Sequence, residues 1–254
     1  MTVVLDGAMG TELAHRGFEL CAPLWGARAI TDAPALVSAI HRDYANHGAQ
    51  ALTTATFGLT PEHVALAAPA VALVREAAPS VTCVGGLGPA DPRTPTADQR
   101  AHYLALGEAL AEGGADVLFA ETHTSITTAR LAAATLRAFD RPVWVAIACG
   151  VDGRSLSGDA LGTPIGADVV FVGCSEFAAL GPALDALAPH NPVLGAKPSL
   201  ALTRDGTFQP AGAEPQSVVD ALVHSVERYD LQYVGGCCGT TPAFIAALSK
   251  ALSR

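Results

Sequence analysis

Eight times along this chain a short apolar run, rich in β-branched residues, gives way to a loop and then to an alanine-rich stretch. The runs are Thr2–Gly7, Ala49–Phe57, Val81–Pro89, Ala115–Thr122, Pro142–Gly150, Ala167–Ser175, Pro192–Pro198 and Leu231–Gly239. Each is nearly continuous in apolar residues, the pattern of strands covered on both faces, as in a parallel sheet. Parallel neighbours need a crossover, and the intervening stretches carry a 3.6-residue period. Pro34–Gly48 sets Leu36, Ile40 and Tyr44 on one face, with Gly48 as terminator. Thr124–Phe139 opens on Thr/Ser caps and sets Ile126, Ala129, Ala133 and Leu136 along a stripe. Eight β-then-α units predict an α/β fold, a single (β/α)8 TIM barrel, with residues 1–254 as one domain. A doubly wound open sheet is the competing architecture, but no Gly-x-Gly-x-x-Gly turn follows the first run. Two connections are long for a barrel: the one holding Cys21–Ile30 and the one spanning Ser199–Pro215. Long barrel loops are often functional.

At 254 residues such a chain buries roughly 75% of its unfolded surface, so it needs neither disulfide nor metal merely to fold. The formal charge of −9 argues against a nucleic-acid partner, which favours a basic face. Met1 is followed directly by Thr2–Gly7 with no basic segment ahead of an apolar one, and no run reaches membrane-spanning length. A cytoplasmic protein without a membrane partner is therefore expected. Assembly into oligomers is left open. In that compartment the six cysteines, Cys21, Cys83, Cys149, Cys174, Cys237 and Cys238, point to metal binding, catalysis or plain burial before disulfides.

In a TIM barrel the chemistry gathers at the C-terminal strand ends. Polar residues at the ends of these runs are Asp6, Thr54, Thr56, Glu121, Cys149, Cys174, Lys197, Cys237 and Cys238. Cys174 ends the sixth run and the Cys237–Cys238 pair ends the eighth. Three thiolates can hold zinc and leave the fourth tetrahedral position open, and the glycines around the pair permit a sharp turn. The alternative is three small buried hydrophobes. Asp6 and Glu121 are acids in apolar surroundings. They either bind backbone N–H groups and partner cations or await a substrate ammonium. The backbone of Gly7–Met9 can receive a carboxylate. His123, two residues past Glu121, is a metal ligand or a helix-cap residue. Lys197 is a Schiff-base amine or the partner of an acid. Trp25 either covers the barrel mouth or lines a pocket for a cationic methyl donor.

The segments LDGAMGTEL, GAQALTTATF, GGLGP, ADVLFAET, GCS, AKPS and VGGCCGTTP, in this order, resemble the zinc-dependent homocysteine S-methyltransferases nearly end to end. The resemblance implies a (β/α)8 barrel in which Cys174, Cys237 and Cys238 hold Zn2+. It implies that Asp6 and Glu121 hold the homocysteine amino group, with Gly7, Ala8 and Met9 near its carboxylate; Thr56, from its place at the end of the second run, and Trp25, from its loop, are also expected to line the substrate site. It further implies transfer of a methyl group to the zinc-bound thiolate of homocysteine, giving methionine. The segment holding Trp25 is most similar to the branch using S-methylmethionine or S-adenosylmethionine. The same barrel with betaine or a methylated corrinoid or folate is the alternative. From other classes come a Lys197 Schiff-base lyase and a non-catalytic zinc or thiol sensor. Two positions depart from the family pattern: Gly173 stands where Asn is usual before the first cysteine, and Ser199 ends a Lys-Pro-Asn triplet.

Overall fold

The computed structural model describes residues 1–204 and 207–253. Strand β1 (Val3–Val4) leads to helix α1 (Met9–His15), a short α2 (Ala29–Asp32) and α3 (Pro34–Asn46). Then come β2 (Ala51–Thr53), α4 (Ala67–Ala77), β3 (Thr82–Leu87), α5 (Thr96–Glu112), β4 (Val117–His123), α6 (Ile126–Leu136) and β5 (Val143–Ile147). The second half holds β6 (Val169–Glu176), α7 (Leu180–Leu187), β7 (Leu194–Ser199), β8 (Ala201–Arg204), β9 (Thr207–Pro210), α8 (Pro215–Tyr229), β10 (Tyr233–Val234) and α9 (Pro242–Leu252).

Strands β1 to β7 and β10 pair in parallel, in the order β1-β10-β7-β6-β5-β4-β3-β2. A single bridge, Leu5 to Ala51, joins the two outer strands. Gln50 N donates to Val4 O at 2.7 Å, and Asp6 N to Ala51 O at 3.0 Å. The sheet therefore closes into the expected barrel, with its shortest strands, β1 and β10, beside the seam.

Seven of the eight barrel strands are followed by a helix; the fifth is not. Between β5 and β6 the chain runs through Gly150, Gly153, Gly158, Gly162, Pro164 and Gly166. Each glycine weakens a helix by about 1 kcal/mol and proline breaks it, so this segment folds as turns and isolated bridges instead. The long connection after β7 also differs from a plain loop: β8 and β9 form an antiparallel hairpin. Asp205 and Gly206 of that connection lie outside the described residues.

The helices close the outer core. In α3 the buried face is Val37, Ser38, Ile40, His41 and Tyr44; Leu36 is only partly buried. Ser125 caps α6 by accepting from Thr128 N, and Thr241 caps α9 with Pro242 in its first turn. Inside the barrel, Leu5, Val84, Phe119, Trp144, Ala146 and Phe171 form a separate buried cluster. Phe119 and Phe171 lie 4.9 Å apart between centroids, and Trp144 and Tyr233 lie 4.6 Å apart. Gly195 makes room for them, since a Cβ there would sit 2.3 Å from the Phe171 ring. Truncating Phe171 to Ala would cost about 3–5 kcal/mol. This plug is the floor on which the polar groups of the mouth stand. No helix among the described residues is long and apolar enough to cross a membrane.

Candidate active site

Strands β4 and β6 end in the same way. Glu121 follows the buried Phe119 by two residues, and Gly173 follows Phe171 by two. The register then shifts, between Ala120 and His123 in β4 and between Gly173 and Glu176 in β6. Within each shift one residue takes the left-handed conformation: Thr122 at φ 59° and Cys174 at φ 51°. Outside glycine this costs about 1–3 kcal/mol, most for a β-branched residue. Its effect is to turn side chains off the strand's alternation, and both Thr122 and Cys174 line the barrel mouth. The next residues, His123 and Ser175, are buried off the mouth.

Beyond β10 the chain brings up Cys237 and Cys238. Cys237 N donates to Pro198 O, and Cys238 O accepts from Leu200 N and Ala201 N at 2.8 and 2.9 Å. Gly239, at φ 81°, makes the turn that a Cβ would strain. Thr240 then packs its hydroxyl against Gly7 and Gly236, where added Cβ atoms would lie 2.7 and 2.2 Å from it. That hydroxyl donates to Cys237 O at 2.7 Å. The Tyr44 hydroxyl lies 3.1 Å from both Ala8 O and Thr240 O. The first and last strand ends are thus pinned to each other.

The three sulfurs converge. Cys174 and Cys237 each lie 4.0 Å from Cys238, and all three lie within 4.8 Å of one another. A tetrahedral zinc with bonds of ~2.3 Å holds its sulfurs about 3.8 Å apart. The donor set therefore fits that ion with small adjustment. The thiols also need a cation to ionise together. S–H donation from Cys237 and Cys238 draws the Cys174 thiol well below its ordinary pKa, while closeness to Cys174 pushes Cys237 up to about 12 and Cys238 higher still. Cys83 and Cys149 are different: both sit in the outer core, and burial pushes each up to about 12.

Opposite the sulfurs is a charge cluster. Asp6 Oδ2 accepts from Thr53 N at 2.6 Å, and Oδ1 accepts from the Thr53 hydroxyl at 3.0 Å and from Lys197 Nζ at 3.1 Å. Burial opposes the Lys197 charge, but Asp6, Glu121 and Cys237 outweigh it and raise its pKa. An amine held protonated is a poor Schiff-base nucleophile, so the geometry favours the ion-pair role. Glu121 has no such partner. Burial pushes its carboxyl up to about 8 despite the field of Lys197. It extends over Gly86, where a Cβ would come 2.7 Å from Glu121 Oε1.

One cavity of about 330 Å3 joins these groups. Of the residues expected at a site, Asp6, Gly7, Ala8, Met9, Trp25, Glu121, Cys174, Lys197, Cys237 and Cys238 all line it. Thr56 does not: it is buried, and its hydroxyl bonds Gly86 O at 2.6 Å and Thr54 Oγ1 at 2.5 Å. Thr54 lines the cavity in its place. His123 is neither metal ligand nor cap. It is fully buried, with Nδ1 3.2 Å from Thr128 Oγ1, and its ring packs near Tyr103. Cys149 and Ser199 are likewise buried off the cavity. Sequence reasoning missed Thr53, Thr122, Phe57 and Phe208, which also line it. Thr53 was detectable by the two-residue alternation of its strand; the other three depend on bulge and loop geometry. A Cβ at Gly173 would lie 2.9 Å from Ala146 Cβ, so Ala146 occupies the space an Asn would need.

Residues 3–252 match the family described as homocysteine S-methyltransferase. The homocysteine S-methyltransferase of Escherichia coli is 30% identical over 97% of this chain and 94% of its own length. The metallated crystal form of the E. coli homocysteine methyltransferase MmuM superposes with a TM-score of 0.81 at 25% identity, covering 98% of this chain and 96% of that one. The methionine synthase of Mycobacterium tuberculosis is 28% identical over 99% of this chain, which spans 25% of that larger protein. With its parallel barrel and the match over nearly its whole length, this chain belongs to the homocysteine S-methyltransferase family of enzymes.

Proposed function

We propose that the barrel, acting as one domain over residues 1–254, moves a methyl group from a sulfonium donor to homocysteine, giving methionine. S-methylmethionine or S-adenosylmethionine is the donor, and one zinc ion is held by Cys174, Cys237 and Cys238. The observation that carries this reading is the meeting of three thiols within 4.8 Å on the wall of the cavity that also holds Glu121 and the Asp6–Lys197 pair. The E. coli relative has a metallated form, which supports a metal in the same family.

Zinc held there would supply a Lewis acid that lowers the pKa of a thiol toward neutrality. The protein's own groups do the rest. Glu121, the acid without a protein cation bonded to it, meets the substrate ammonium. Asp6, Thr53 and Lys197 fix the wall behind it. The apolar plug under Lys197 excludes water from below. Trp25, 41% exposed at the mouth, offers its ring face to the donor's positive charge. The acceptor sulfur, as thiolate, forms a bond to the methyl carbon. The donor's C–S bond breaks, and its electron pair returns to sulfur, leaving a neutral thioether. The acceptor's proton goes to solvent.

The deciding experiment is a donor panel with homocysteine, run on protein purified under reducing conditions and assayed for metal. About one zinc per chain and turnover with S-methylmethionine or S-adenosylmethionine are expected. Turnover with betaine or a methylated corrinoid or folate alone would transfer the proposal to that donor class. Protein free of zinc, or inert toward every donor, would reject it.

A further inference from the structure

A second cavity, of about 490 Å3, adjoins the first on the side of the loops that follow β2 and β3. Trp25, Phe57 and Gly58 line both cavities and form the sill between them. Close packing fixes the sill: a Cβ at Gly58 would collide with Leu24 O, and one at Gly88 with Phe57 O. Trp25 and Phe57 stay 41% and 45% exposed there. A donor whose cationic sulfur rests on those rings points its methyl group inward and its remaining arms outward, into the second cavity.

That outer wall is rich in hydrogen-bond acceptors and poor in donors. Asp98 and His102 stand one turn apart on α5, and both line it. Asp98 is exposed, and among the described residues its carboxylate makes no hydrogen bond or ion pair. His102 Nε2 lies 3.2 Å from Gly88 O. A carbonyl only accepts, so this nitrogen carries the proton and Nδ1 is left an acceptor. Burial lowers the imidazole pKa and favours the neutral ring. Asp91 is already occupied, since Arg93 Nε and Nη2 donate to its two oxygens at 2.9 and 2.7 Å. The wall's own donors are mostly spent. Thr94 Oγ1 and N both donate to Asp91 O, Ala90 N donates to Tyr103 Oη, and Pro61 and Pro89 have no N–H. Such a wall suits a ligand end that donates and carries positive charge, an ammonium, and offers little to a carboxylate.

S-methylmethionine and S-adenosylmethionine share one arm, an aminocarboxypropyl chain on sulfur. Resting on the methyl-transfer reading, we infer that the second cavity binds this arm of the donor, and that Asp98, with His102 Nδ1, receives its ammonium. Asp98 is thereby a specificity residue for the donor: it selects a sulfonium with an aminoalkyl arm over one whose arm ends only in a carboxylate.

The test compares three donors with homocysteine as acceptor: S-methylmethionine, (3-aminopropyl)dimethylsulfonium, which lacks the carboxylate, and 4-(dimethylsulfonio)butanoate, which lacks the amine. In the native enzyme the KM for the butanoate should exceed that for the aminopropyl compound by about threefold or more; parity, or the reverse order, overturns the assignment. Asp98→Asn should raise the KM for the two amine-bearing donors about 3- to 30-fold, the range between an exposed ion pair and a charge-assisted hydrogen bond. The KM for homocysteine and for the butanoate should not rise beyond about twofold, and kcat should hold within a few-fold. Asp98→Lys should reverse the order of the two analogues. Asp98 is exposed and unpaired, so neither substitution threatens the fold. If Asp98 serves only the first turn of α5, the variants will leave all three donor KM values unmoved or shift them alike, and either result overturns the assignment. A native enzyme inert toward every sulfonium fails the proposed donor class and this inference together. Normal turnover of S-methylmethionine with an unmoved KM in Asp98→Asn fails this inference alone.

Discussion

The ends of β4 and β6 are built alike and deliver different chemistry. Each carries an aromatic residue into the plug, an inward residue two positions later, a left-handed residue, and then a buried one. In β4 these are Phe119, Glu121, Thr122 and His123; in β6 they are Phe171, Gly173, Cys174 and Ser175. In β4 the inward position carries the working group, and the left-handed position supplies a hydroxyl at the wall. In β6 the inward position is empty, and the left-handed position carries the thiol. The bulge is thus a neutral device for aiming side chains, and the residues placed around it decide whether the strand end presents a carboxyl or a thiol to the cavity.

The comparison breaks most sharply at the two working groups. Cys174→Ala should reduce bound zinc from about one per chain to near zero and lower activity about a thousandfold or more. Glu121→Gln should keep the zinc and lower kcat/KM for homocysteine about 10- to 100-fold, the loss of one charge-assisted bond. Metal analysis beside steady-state kinetics separates them; zinc loss in Glu121→Gln would mean the strand ends are not independent.

The buried residues after each bulge differ in titration. Burial lowers His123 from the ordinary 6.5 to about 3. Below pH 6.5 the unfolded chain takes up a proton that the folded one refuses, so stability falls as pH drops from 6.5 toward 3. One such proton contributes a slope of up to about 1.4 kcal/mol per pH unit. Urea unfolding between pH 6.5 and 4.5 should show a shallower slope for His123→Leu and an unchanged one for Ser175→Ala. Equal slopes for His123→Leu and the native protein would count against this account. His41, lowered to about 4 by burial, adds to the native slope in both cases.

The smallest effect concerns the empty inward position. Gly173→Asn should cost about 1–3 kcal/mol through overpacking against Ala146. Pairing it with Ala146→Gly should restore most of the loss in urea midpoint.

What could be read from the chain was local. Cys237–Cys238, Asp6 and Glu121 stand out as polar groups ending apolar runs, and the barrel follows from the repetition of those runs. The missing fifth helix was also written locally, in five glycines and a proline, but the eightfold pattern overrode them. Thr56 was misplaced because a two-residue alternation does not register the turn that gives its hydroxyl to Gly86 O. The left-handed turns at Thr122 and Cys174 follow from neighbouring strands, not from any residue preference, since Thr and Cys are poor choices there. The Asp6–Lys197 contact joins positions 191 apart, and only tertiary structure can show it.

That separation has a consequence for how the protein comes into being. A ribosome releases Asp6 191 residues ahead of its neutralising lysine, which arrives only with the seventh barrel strand. Until then the end of β1 carries a charge that resists burial, and β1 has β2 on one side but no β10 on the other. Cys238 emerges later still, so no nascent chain that stops short of it holds all three sulfurs. Maturation is therefore ordered by the genetic message itself: the barrel shuts when β10 fills the place between β1 and β7, and the three-sulfur cluster exists only after translation has passed the last cysteine.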